Sequence, residues 1–289
     1  MPFKMQGEPP EKKRFKPACV ANIDLDANKW SWLSKAIVPP APNAVMCDFD
    51  WSCSSWMCVD VETHDLAPRS HEHGWVDGTF GHKRLKYDDA LVRRLRAIQL
   101  GWTAGDISSG QPPVTKTRLV KPSGFVITEA ATEIHSIKHV DAVDGGCDLS
   151  EVLAEFLGDV QNLVRAGGRV CAHQLEFDAA IIDAELGRCE AGVELKQVWR
   201  EAARGGLCTM NPVLTAWCCE SYRRTVDRYG DGEKNRDMPC ALGAVAWTLV
   251  PPCQELRAKD HDAGNDSCVG WLVVSRLHHH VRSAFAAPV

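Results

Sequence analysis

Hydrophobic positions along this chain repeat with two periods. Residues 57–61 form a short apolar run that ends in acids, and residues 95–101 and 115–120 mix apolar with β-branched side chains, which predicts three early strands. Farther on, Val152, Leu153, Phe156, Leu157, Val160 and Val164 recur at helical spacing. They predict an amphipathic helix capped by Ser150 and ended by Gly167 and Gly168. Residues 169–172 then read as a buried strand, 179–186 as a helix stopped by Gly187, and 195–203 as a helix with Arg200 and Glu201 outward. A short strand is expected at 207–210, a helix at 241–250 stopped by Pro251 and Pro252, and a last helix from about Ala263 to past Leu277. Strands first, then strands alternating with helices, indicate a mixed α/β sheet. There is no internal repeat.

Residues 1–43 break this pattern: they are rich in proline and charge, with one apolar patch from Trp30 to Trp32, and are expected to form a flexible arm. Residues 44–289 are expected to form one folded domain. A chain of 289 residues with 45% hydrophobic and 25% charged side chains can bury a substantial core, which excludes disorder along its whole length. The formal net charge of -5 excludes a protein that coats nucleic acid through a generally basic surface. Any such contact is local, at clusters such as Lys83, Arg84 and Lys86 or Arg93, Arg94 and Arg96, although short charge runs are more often solvated faces.

The 13 cysteines lack C-x-x-C pairs, which argues for a reducing compartment and against a structural zinc site. Cys47, Cys53 and Cys58 lie among Trp51 and Trp56 and read as a packed edge. The start of the chain does not resemble a secretory signal peptide and no apolar stretch is long enough to span a membrane, so a soluble intracellular protein, cytoplasmic or nuclear, is expected. The basic run Lys12-Lys13-Arg14 reads as a nuclear import signal or, as short basic runs often do, as a chance occurrence.

Three acidic segments carry the candidate chemistry. Asp60 and Glu62 stand at alternate positions of a strand, so both side chains share one face, where two like charges favour a bound cation. Asp178 follows the 169–172 strand at the opening of a helix, where α/β sheets place functional groups. His261 and Asp266 enter the apolar helix containing Val269, Trp271, Leu272 and Val273. Ala263 and Gly264 between them allow a close backbone approach. An all-carboxylate set suits magnesium or manganese better than zinc.

In this order, Asp60-Val61-Glu62, His173 to Asp178 and His261 to Asp266 resemble the D-x-E, H-N-x-x-F-D and H-x-A-x-x-D motifs of the DEDDh exonucleases, a family that includes polymerase proofreading subunits. Thr63 and Leu66 fit the family's D-x-E-T-x-x-L pattern. The stretch Thr132-Glu133-Ile134-His135-Ser136-Ile137 resembles its T-x-I-H-G-I segment, with Ser136 in place of glycine. Gln174 stands where the family usually has asparagine, and residues 67–89, including His71 and His73, form a longer connection that reads as a surface insertion.

The resemblance spans residues 57–277 and implies an RNase H-like fold, a mixed central sheet with helices on both faces. It implies two divalent cations, Mg2+ or Mn2+, with Asp60, Glu62 and Asp266 at one, and Asp60 bridging to a second completed by Asp178. His261 would be the general base. Thr63, Leu66, Gln174 and Phe177 would contact the substrate, a nucleic acid 3′ end of DNA or RNA that is hydrolysed 3′-5′ to nucleoside 5′-monophosphates. No membrane role is implied. His135 would lie near the cleft as a structural hydrogen-bonding group. His278, His279 and His280 point in different directions around a helix, cannot all reach one ion, and receive no role. The alternative is a catalytically silent module that binds nucleic acid or a protein partner, which loss of an acid or of the histidine would favour. All five positions are filled.

Overall fold

Along strand β1 (Ser55–Thr63), successive side chains enter two different cores. The computed structural model describes residues 50–67, 75–77, 83–85, 88–189, 192–210, 242–249 and 261–286. Met57, Val59 and Val61 face one core, and Trp56 and Cys58 face the other. Within the described residues the chain continues through a small antiparallel hairpin, β2 (Trp75–Asp77) and β3 (Lys83–Leu85), and a single turn of helix, α1 (Asp89–Val92). It then forms β4 (Ala97–Asp106) and β5 (Val114–Leu119), both antiparallel neighbours that extend the sheet from β1.

Three helices follow, α2 (Glu129–His135), α3 (His139–Gly145) and α4 (Leu149–Arg165). Strand β6 (Arg169–Ala172) pairs parallel with β1 on its other side. After α5 (Leu175–Arg188) and α6 (Val193–Arg204), β7 (Leu207–Cys208) pairs parallel with β6. The sheet order is β5-β4-β1-β6-β7, a mixed five-stranded sheet. Helices α7 (Leu242–Leu249) and α8 (Ala263–Ala286) complete the described chain.

Helices cover both faces of the sheet. On one, α4, α5 and α6 pack against Met57, Val59, Leu100 and Trp102. There the rings of Trp102, Phe156 and Trp199 form two edge-on contacts with centroids 5.5 and 5.3 Å apart. Each such aromatic pair adds roughly 0.5–1.5 kcal/mol beyond its area burial. On the other face α8 lies over β1, β4 and β5 with α7 beside it, burying Cys268, Val269, Trp271 and Leu272 against Trp56, Cys58 and Cys171. Glycines bring α8 close. A Cβ on Gly101 of β4 would overlap the backbone of Ala263, one on Gly264 would overlap the Thr117 hydroxyl, and one on Gly270 would overlap the Cys58 thiol.

Tertiary contacts move several element ends from where the sequence pattern puts them. Helix α4 begins at Leu149 after Asp148, so Ser150 lies inside its first turn and does not cap it. Helix α5 starts before Ala179 and runs through Gly187, because Leu186 is fully buried and Arg188 Nη1 donates to the Leu95 carbonyl oxygen at 3.0 Å, tying the last turn to the segment that leads into β4. The 207–210 strand shortens to two residues and the last helix extends to Ala286. The arm, residues 1–43, lies outside the described residues, as do Cys47, Lys86, His71, His73, Pro251 and Pro252. Trp51, Trp56 and Cys58 pack together in the core under the central strand instead of at an edge, with the Trp51 and Trp56 ring centroids 6.0 Å apart, while Cys53 is half-buried. No described helix is long and apolar enough to cross a membrane.

Candidate active site

The period of two that puts Asp60 and Glu62 on one face of β1 turns both toward the start of α8. Opposite them on β4, in register, are Gly101 and Gln99. Gly101 leaves room there for the backbone of Ala263, so the turn carrying His261 and the first turn of α8 carrying Asp266 come down on the carboxylates. One ligand atom from each of Glu62, His261 and Asp266 lies within 4.8 Å of the others. His261 is exposed and has a left-handed backbone, φ 62°. Asp178 arrives from the first turn of α5, directly after β6. The Val61 N–H donates to its Oδ1 at 3.2 Å, while its buried Oδ2 has no hydrogen-bond partner.

The group is strongly electronegative. Burial, reinforced by the charges of Asp178, Glu62, Asp266 and Asp262, holds the Asp60 carboxyl well above the usual carboxylate range. Glu62 is pushed up to about 8, first by burial and then by the charges of Asp266 and Asp262. Burial also raises Asp178, against the lowering hydrogen bond from Val61. Among the described residues no lysine or arginine forms an ion pair with Asp60, Glu62 or Asp178. Converging carboxylates with an orphaned buried oxygen are the environment a divalent cation stabilises, and oxygen donors with one imidazole fit a hard ion. The residues present therefore fit a metal centre.

The remaining expected residues fall into distinct places. Thr63, buried at the end of β1, donates through Oγ1 to the Asp65 carbonyl oxygen at 2.7 Å. Leu66 is exposed by 45% just beyond. Gln174 precedes α5 in a left-handed conformation, φ 77°, without capping it, and Phe177 packs half-buried against the larger core. His135 is buried, and its Nδ1 accepts the Ile137 N–H at 3.0 Å. His278 is buried with its ring edge-on to Trp51, whereas His279 is exposed.

Two residues at this site escaped the motif reading. Asp262 accepts the Asn265 N–H at Oδ1, 3.0 Å, as an N-terminal cap of α8, and accepts from Gln99 Nε2 at Oδ2, 3.2 Å. Gln99 also accepts the Ala263 N–H at Oε1, 2.8 Å. A signal existed for each: an aspartate just before a helical apolar run, and one polar residue inside the apolar run from Ala97 to Trp102.

No family model matches the sequence, and no curated protein matches it either. Solved structures do match the fold. Escherichia coli Exonuclease I in complex with a dT13 oligonucleotide superimposes with a TM-score of 0.54 at 14% identity, over 80% of this chain and 42% of that one. The zinc-bound E. coli Exonuclease I complex with single-stranded DNA gives 0.54 at 13% identity, over 81% and 42%. The chain thus spans about two fifths of the length of those structures. This likeness, with the mixed five-stranded sheet and helices on both faces, establishes the RNase H-like α/β fold.

Proposed function

We propose that this protein is a metal-dependent 3′-5′ exonuclease that hydrolyses the terminal phosphodiester of DNA or RNA and releases nucleoside 5′-monophosphates. The observation that carries the reading is that one ligand atom from each of Glu62, His261 and Asp266 lies within 4.8 Å of the others, while Asp60 feels the charges of Asp178, Glu62 and Asp266 and Asp178 keeps a buried oxygen without a partner. The fold shared with Exonuclease I supports it, because those structures hold oligonucleotides.

In this reading Asp60, Glu62, Asp178 and Asp266 would hold two divalent cations, Mg2+ or Mn2+, which would supply charge stabilisation to the attacking and leaving oxygens of an in-line displacement. His261, exposed beside Glu62 and Asp266, takes the proton of the attacking water on a ring nitrogen. The water oxygen forms its bond to phosphorus as the bond to the 3′ oxygen breaks. That oxygen gains a proton from solvent, leaving a chain one nucleotide shorter with a 3′ hydroxyl. Leu66 offers an exposed apolar side chain to the terminal base, Thr63 fixes the backbone beside it, and Gln174 and Phe177 contribute further contacts from the start of α5.

The test is digestion of 3′-labelled and 5′-labelled single-stranded DNA and RNA with Mg2+ or Mn2+, comparing wild type with His261→Ala and Asp60→Ala. Stepwise shortening from the 3′ end that requires metal and both residues is the expected result, and the preferred polymer names the substrate. Absence of cleavage on every substrate overturns the reading.

A further inference from the structure

Gln99 is the third residue of β4, buried, with an amide whose two ends are both used by one turn. Its Nε2 donates to Asp262 Oδ2 at 3.2 Å and its Oε1 accepts the Ala263 N–H at 2.8 Å. The two residues it grips follow His261 directly, and Asp262 is also the cap whose carbonyl oxygen accepts the Asp266 N–H at 2.8 Å, closing the first turn of α8. Gln99 is the cross-strand partner of Glu62. One side chain therefore links the strand position of one carboxylate to the turn that carries the imidazole and the second carboxylate.

The grip holds a strained turn. The backbone of His261 sits in the left-handed region at φ 62°, which costs a non-glycine residue on the order of 1 kcal/mol. A neutral amide suits this place. A carboxylate could accept from Ala263 but not donate to Asp262, and an ammonium could donate but not accept.

We infer that Gln99 is the positioning residue of this centre: through Asp262 and Ala263 it sets the separation of Glu62, His261 and Asp266, and so the affinity for the divalent cation and the rate of the hydrolytic step. The inference rests on the nuclease reading only for the second of those consequences. Groups that orient metal ligands typically contribute 10- to 100-fold in affinity or activity.

The test uses the full chain as wild type, Gln99→Ala and the near-isosteric Gln99→Glu, which keeps the bond to Ala263 and loses the one to Asp262. Mn2+ affinity is measured by titration calorimetry, and kcat and KM on a 5′-labelled single-stranded oligonucleotide, with circular dichroism to confirm folding. Expected is a loss of Mn2+ affinity of roughly 10- to 100-fold in both variants. A fall in kcat is expected beside it, with KM for the oligonucleotide within about twofold of wild type, since Gln99 touches no proposed substrate contact. Mn2+ affinity within about twofold of wild type in the folded Gln99→Glu protein overturns the inference, whatever happens to the melting temperature. An inactive wild type whose Mn2+ affinity still depends on Gln99 sinks the nuclease reading and leaves the positioning role standing.

Discussion

Val61 and Asp178, 117 residues apart in sequence, meet in one hydrogen bond: the Val61 N–H donates to Oδ1 of Asp178 at 3.2 Å and leaves Oδ2 buried with no partner. Asp178→Asn keeps an oxygen for Val61 and removes the negative charge. In chelator at about pH 8 this variant should melt at a higher temperature than wild type, because one of several mutually repelling buried carboxylates is gone. Hydrolysis should fall on the order of 10³-fold, the rate equivalent of the several kcal/mol that a metal centre supplies. Scanning calorimetry and a labelled-oligonucleotide assay check both, and a variant as fast as wild type removes Asp178 from the mechanism.

Stability of the metal-free protein should fall as pH rises. Folding lifts Glu62 from its ordinary 4.5 to about 8, so between those values the folded chain binds the proton that the unfolded chain has released. Where the native state holds more protons, unfolding free energy decreases with pH, and the decrease is complete above about pH 8. Asp60, raised for the same reason, acts with the same sign. Melts in chelator from about pH 5 to about pH 9 should show the decline, and saturating Mn2+, which favours the deprotonated carboxylates, should reverse it. A flat profile in chelator contradicts the buried-carboxylate description.

Three described residues other than glycine have positive φ, namely Ser136, Gln174 and His261, and each lies in one of the motif segments. Ser136 ends α2 at φ 61°, at the place where the DEDDh pattern has glycine. Ser136→Gly should stabilise the protein by about 1 kcal/mol, the cost of a Cβ in the left-handed region. Gln174→Asn should gain less, a few tenths of a kcal/mol at roughly the difference in tolerance between the two amides. Urea unfolding measures both; a lower midpoint for Ser136→Gly would falsify the assignment of strain there.

Glu185 is buried in α5 and holds three partners: Arg96 Nε at 3.0 Å, the Ala97 N–H at 2.8 Å and Arg188 Nη1 at 3.1 Å. Glu185→Ala strands Arg96 and an amide of β4 and should cost about 3–5 kcal/mol. Glu185→Gln, which keeps an acceptor for Ala97, should cost less. Equal losses in chemical denaturation would mean that shape at this position, and not charge, matters.

The local sequence determined the elements whose signal is complete within a few residues. The alternation that puts Asp60 and Glu62 on one face, the 169–172 strand and the long apolar stripe of α4 each depend on near neighbours, and the structure has them where the pattern places them, except that Leu163 and not the exposed Val164 closes the buried face of α4. The order of the acidic motifs also announced which segments would converge. Helices α2 and α3 went unread because they are short and are held by a small cluster of Ile98, Ile127, Ala131 and Ala142 drawn from separate parts of the chain. Gln99 carries no motif of its own. Its role exists only because Gly101 and Gly264 let α8 press onto the sheet, which brings Asp262 within hydrogen-bond reach across 163 residues of sequence. The orphaned oxygen of Asp178 and the high proton affinity of Glu62 arise the same way. Burial and charge repulsion are sums over neighbours that the fold assembles, and no window of sequence contains them.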